Sequence, residues 1–185
     1  YFAGFSNTMP DFNWRAPEVA TFHHDNLRYW LNKGVDGFRF DAVGNLVENS
    51  ASAWEVQPEN HAVMNAVRQT LQQYSQRYMV CEAPANSLAF AQGEVAAIQK
   101  LSDYYKTRPN TLAPFVSNHD RFAGDRLWNQ VQGNLAQYKL AAASYLFLPG
   151  TPFIYYGEEI GMASSSALTG DWSIRTPMSW TSDAK

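Results

Sequence analysis

What this 185-residue sequence lacks narrows its class before any motif is read. It has one cysteine, Cys81, so no internal disulfide framework can staple it. No apolar run reaches the roughly 18 residues a membrane span needs, and no partnership with a membrane is expected. No charged-then-apolar leader opens the chain, which starts at Tyr1 and reads as a piece of something longer. Basic runs are absent: 14 Lys and Arg stand against 17 Asp and Glu, a net charge of −3, which weighs against a nucleic-acid partner. No repeat or low-complexity segment stands out, no glycine-rich loop suits a phosphate, and no His/Cys cluster has metal-ligand spacing. What is present is 45% hydrophobic and 15% aromatic, which excludes a disordered tail and supplies a core. Its Trp and Tyr content fits sugar stacking and ordinary packing equally.

The hydrophobic pattern alternates helix and strand. Pro17 suits a helix's first turn, and Val19, Phe22, Leu27, Trp30 and Leu31 form an apolar stripe ending near Gly34, a C-cap position. Residues 35–42 then alternate with period two, Phe38, Phe40 and Ala42 on one face, Gly37, Arg39 and Asp41 on the other. Further helices are predicted at 60–76, 94–106 and 134–147, and further strands at 79–83, 115–120 and 151–157. His23 and His24, beside Asp25, are expected on a solvated helix face. The alternation argues for an α/β fold with a parallel sheet.

Polar groups gather where these strands end: Arg39 and Asp41, Glu82, His119 and Asp120, Glu158 and Glu159. In parallel α/β barrels that edge holds the active site. Arg39 shares a strand face with Asp41 and can keep it ionised, a state suited to a nucleophile. Glu82 follows an apolar strand; apolar surroundings and nearby negative charge would favour its protonated form, suited to a general acid. Two carboxyl groups so tuned match glycoside hydrolysis. Singly, each has an ordinary explanation: a structural ion pair for Arg39–Asp41, a cap for Glu82, a turn for 118–120. Glu158 and Glu159 fit a function, a cap or an arginine bridge, and Trp14, Trp54, Trp128, Trp172 and Trp180 fit packing or sugar stacking.

Together these segments resemble the α-amylase family, glycoside hydrolase family 13. Residues 34–42 (Gly-Val-Asp-Gly-Phe-Arg-Phe-Asp-Ala) resemble its nucleophile strand, 80–83 (Val-Cys-Glu-Ala) its acid/base strand, and 115–120 (Phe-Val-Ser-Asn-His-Asp) its third catalytic strand. Residues 9–14 (Met-Pro-Asp-Phe-Asn-Trp), 150–162 and 174–180 (Ile-Arg-Thr-Pro-Met-Ser-Trp) also look like family segments. The resemblance implies a (β/α)8 TIM barrel, with strands here resembling the fourth, fifth, seventh and eighth. It implies Asp41 as nucleophile, Glu82 as general acid/base and Asp120 as transition-state stabiliser, with Arg39, His119 and Arg175 binding the sugar. The implied partner is an α-glucan or oligosaccharide. Asp41 is followed by Ala-Val-Gly-Asn-Leu, without the Lys-His of many α-amylases, and the family resemblance leans to the oligosaccharide-acting, α-glucosidase-like branch. Alternatives are a transglycosidase or isomerase of the trehalose-synthase kind, and a non-catalytic relative such as the ectodomain of amino-acid transporter heavy chains. Calcium is common in the family, but no ligand for it is identifiable in this sequence.

The resemblance implies residues 1–15 as the end of an inserted loop domain and 16–185 as a partial barrel. Glu82 and His119 lie only 37 residues apart, too few for a helix, a sixth strand and another helix, so missing sequence is expected near 90–93. A complete barrel takes about 250 residues. This segment is expected to carry the catalytic carboxylates without closing a barrel, and not to fold alone into an active protein.

Overall fold

A computed structural model describes residues 1–82 and 95–181, with backbone only for 95–98, 100 and 101. The chain divides into two compact units, Tyr1–Ala85 and Asn86–Lys185.

In the first unit, helix α1 (Pro17–Asn32) begins on the proline that starts the predicted stripe. It ends through a paired carbonyl cap: Gly34 N–H donates to Leu31 O at 3.0 Å and Val35 N–H reaches back to Trp30 O at 3.2 Å. Gly34 takes φ +94°, a left-handed conformation that glycine adopts without a Cβ penalty. The chain then enters strand β1 (Gly37–Phe40), crosses through α2 (Pro58–Leu71), and returns as β2 (Tyr78–Cys81). β1 and β2 pair in parallel with Gly37 opposite Tyr78 and Phe40 opposite Cys81. This is the expected strand–helix–strand unit, with α2 over Pro58–Leu71 rather than 60–76 and β2 starting one residue early; Ala83 lies outside the described residues.

Gly37 is required by contact rather than by φ. A Cβ there would lie 2.3 Å from Tyr78 O, inside the strand pairing. The core of this unit is Leu31, Val67 and Leu71, with Leu27, Phe38, Phe40, Met64, Tyr74 and Met79 packed against it. Phe38 and Phe40 thus turn toward the helices, and strand alternation sends Arg39 and Asp41 to the opposite side. The α1 stripe is narrower than predicted, since Phe22 and Trp30 are exposed.

The two histidines correct the solvated-face expectation. His23 stacks on Trp14 with centroids 4.7 Å apart and meets Phe12 edge-on. His24 Nδ1 lies 2.7 Å from Thr70 Oγ1, joining α1 to α2. Burial pushes both imidazoles below their ordinary pKa.

The second unit contains α3 (Val95–Thr107), the short α4 (Leu127–Gln130) and α5 (Leu135–Leu146). Asn134 caps α5, its side chain accepting from the N–H groups of Ala136 and Gln137. The strands predicted at 115–120 and 151–157 do not form a ladder among the described residues; both segments are irregular. Phe153 N–H donates to the carbonyl of Pro114, the residue just before the first segment, at 2.9 Å. Pro114 and Pro152 offer no N–H to a ladder, and Phe115, Phe153 and Ile154 stay exposed rather than packed. The expected gap near 90–93 lies outside the described residues.

Candidate functional site

The parallel register of the first unit sets its polar cluster. Because Phe40 sits opposite Cys81, the residues that follow, Asp41 and Glu82, leave the sheet side by side at its C-terminal edge. Glu82 N–H continues the ladder to Phe40 O at 2.8 Å. Arg39 then joins the two carboxylates, one terminal nitrogen bonded to Asp41 Oδ1 and the other 3.2 Å from Glu82 Oε1. Ala42, next along the chain, takes φ +45°, uncommon for a residue with a Cβ, and its N–H donates to Glu82 Oε2 at 2.9 Å. Asp41 is 71% exposed at its side chain and Glu82 26%, so the first is open to a ligand and the second is held. Among the described residues a cation and a backbone donor meet Glu82, with the Asp41 carboxylate beside it across Arg39.

The loop after Asp41 is held from α2. Buried Asn60 donates from Nδ2 to Gly44 O at 2.5 Å and accepts from Val47 N–H at 2.8 Å. Sequence reading did not single out Asn60; an asparagine in a helix's first turn carries no distinctive signal.

The second unit has its own cluster. Asp120 Oδ1 accepts from Arg175 at 2.8 Å, and Asp120 Oδ2 lies 3.2 Å from His119 Nε2. Arg175 also gives its Nε–H to His119 O at 2.6 Å and a terminal N–H to Asp171 Oδ2 at 2.9 Å. Asp120 N–H is fixed by Asn118 Oδ1 at 2.8 Å. Adjacent His119 and Asp120 are thus in one network with Arg175, 55 residues beyond Asp120.

Beside it, Arg126 is buried. It donates to the carbonyls of Tyr156 and Ile174 at 2.7 and 2.8 Å and lies 4.6 Å from the centroids of both the Tyr155 and Tyr156 rings. Glu158 is also buried and accepts from Ser117 Oγ, Tyr155 N–H and Tyr145 O–H. Burial pushes the Glu158 carboxyl up, opposed by those donors and by Arg126. The Tyr145 hydroxyl is pushed up to about 12 by burial and by Glu158. Glu158 is therefore a packed hydrogen-bonding hub, while Glu159 and Trp172 remain exposed. Among the described residues, no group of three or more His, Cys, Asp or Glu is placed to hold a metal ion, and no helix is long and apolar enough to cross a membrane.

Comparison with known proteins gives these clusters a context. The family model for the alpha amylase catalytic domain matches residues 1–97 and 93–185. Alpha-amylase 3 of Dictyoglomus thermophilum is 29% identical over 225 residues, covering 100% of this chain and 40% of that protein. The trehalose synthase/amylase of Mycolicibacterium smegmatis is 29% identical over 244 residues, covering 99% of this chain and 41% of that protein. Among solved structures, an alpha-amylase from H. orenii superposes with a TM-score of 0.76 at 27% identity, covering 98% of this chain and 41% of that one. The chain spans about two fifths of the length of these relatives.

Proposed function

The chain belongs to the alpha-amylase family, and from that premise we propose that it carries the catalytic groups of a retaining glycosidase acting on α-glucosidic bonds in maltooligosaccharides or starch-derived sugars. The family's catalytic domain is a (β/α)8 barrel, and this chain is a portion of one. The observation that carries the reading is the pairing of Asp41 and Glu82 at the ends of adjacent parallel strands, bridged by Arg39.

Asp41, exposed and paired with a cation, attacks the anomeric carbon as Glu82 gives a proton to the departing glycosidic oxygen. A β-glucosyl ester on Asp41 results. Glu82, now a carboxylate, takes a proton from water, which displaces Asp41 and restores the α-configuration. Arg39, bonded to Asp41, aligns it for attack. Asp120, gripped by Arg175 and His119, is assigned the stabilisation of positive charge on the distorted sugar, with Arg39, His119 and Arg175 as sugar-binding groups.

A second reading replaces water with a sugar hydroxyl, giving an isomerase or transglycosidase; the similarity to a trehalose synthase/amylase favours keeping it. We assign residues 1–15 to the end of an inserted loop domain and 16–185 to the barrel, with a strand–helix unit missing near 90–93. The two-part family match and alignments longer than the chain support that reading. Product analysis of the full-length protein on maltose, isomaltose, trehalose, sucrose and starch tests the function. Glucose release with retained α-configuration is expected; interconversion of maltose and trehalose selects the second reading, and no turnover on any of them contradicts both.

A further inference from the structure

The short helical turn Gly170–Ile174 holds the backbone and the side chain of the Asp120 segment through one residue. Asp171 Oδ1 accepts the Arg121 N–H at 2.8 Å, immediately after Asp120. Asp171 Oδ2 accepts from the Arg175 guanidinium at 2.9 Å. The same terminal nitrogen of Arg175 reaches Asp120 Oδ1 at 2.8 Å, while its Nε–H binds His119 O. The charges alternate along the line Asp120, Arg175, Asp171. Without Asp171, Arg175 keeps Asp120 and the His119 carbonyl as partners but loses the second anion on that terminal nitrogen, and the 120–121 peptide loses its tether. A planar guanidinium has its orientation fixed by how many acceptors surround it.

We propose that Asp171 is a positioning residue that acts through Arg175 to set the orientation of the Asp120 carboxylate during the reaction. The proposal rests on the assignment of Asp120 as the transition-state stabiliser. Asp171→Asn is informative because the amide oxygen still accepts the Arg121 N–H, while the charge that faces Arg175 is gone. Asp171→Glu keeps the charge.

The test measures kcat, KM and thermal midpoint of the full-length protein for Asp171→Asn, Asp171→Glu, Arg175→Ala, the Asp171→Asn/Arg175→Ala pair, and Asp120→Asn. The expected result is a loss in kcat of about 10-fold for Asp171→Asn, with KM within about twofold and an unchanged midpoint. Asp171→Glu recovers most of the rate. In the Arg175→Ala background, Asp171→Asn costs less than about twofold more. Wild-type turnover by Asp171→Asn, or the same 10-fold loss without Arg175, overturns the proposal. Retained turnover by Asp120→Asn instead overturns the assignment of Asp120, which the Asp171 variants alone do not address.

Discussion

Ala42 gives its backbone N–H to Glu82 Oε2 at 2.9 Å, linking the residue after one strand to the residue after its neighbour. The contact needs Ala42 in the left-handed region, at φ +45°. Together with Arg39 on the other oxygen, it leaves Glu82 tethered at both ends. A carboxyl meant to deliver a proton to one oxygen of a bound sugar gains from being so held.

Glu82→Gln keeps the shape and can still accept from Ala42, but it cannot deliver or take a proton. A loss in kcat of about 10² to 10⁴-fold is expected on natural sugars. The loss in the first step shrinks for a substrate whose leaving group needs no protonation, such as a glucosyl fluoride. Steady-state kinetics with both substrate types checks this.

Arg39→Lys keeps the charge but not the fork that spans two carboxylates. Of its two contacts, the hydrogen bond to Asp41 and the ion pair to Glu82, only one can be kept, and a hydrogen bond to a charged group contributes about 1.5–3 kcal/mol. A kcat lower by about 10 to 100-fold, with the thermal midpoint little changed, is the expected result.

Leu31 is 2% exposed and packs with Val67 and Leu71 behind the strand pair. Leu31→Ala should cost about 2–5 kcal/mol, read as a lower denaturant midpoint. Trp30→Ala, next to it but exposed, should cost far less.

These positions also mark what the sequence made legible. Period-two alternation over 35–42 put the phenylalanines on the core side and Arg39 with Asp41 on the other, and the packing agrees. Proline and glycine punctuation located both ends of α1. Polarity near Asp25 says nothing of a loop nine residues before His23 folding Trp14 back onto the helix. The segments 115–120 and 151–157 carry strand-like apolar residues, yet Pro152 removes a ladder donor within the second and Pro114 one just before the first, and a strand's partners are not written in its own residues. Asp171 could have been found: it stands four residues before Arg175, the spacing of an ion pair on a helical turn. Arg126 carries no such signal, and the burial of Glu158, itself a strand-end polar group, depends on distant partners such as Ser117, as that of Arg126 does on Ile174.

Glu158 sets a pH dependence of stability. Its carboxyl is raised in the folded state, chiefly by burial, so the folded chain binds its proton more tightly than the unfolded chain. Its contribution is fully present below the unfolded pKa and declines as pH rises from there through the raised folded value. Glu158→Gln removes this term. Thermal midpoints measured from pH 4 to pH 8 should then fall less with rising pH in the variant than in the wild type.

In the proposed reaction Asp41 forms a covalent bond to the sugar. The direct measurement is mass spectrometry of the full-length protein after reaction with 5-fluoro-α-glucosyl fluoride, whose ring fluorine slows breakdown of the intermediate. A single fluoroglucosyl adduct is expected on the peptide containing Asp41, absent in Asp41→Asn. An adduct on a different carboxylate, or turnover of maltose by Asp41→Asn at the wild-type rate, would contradict it.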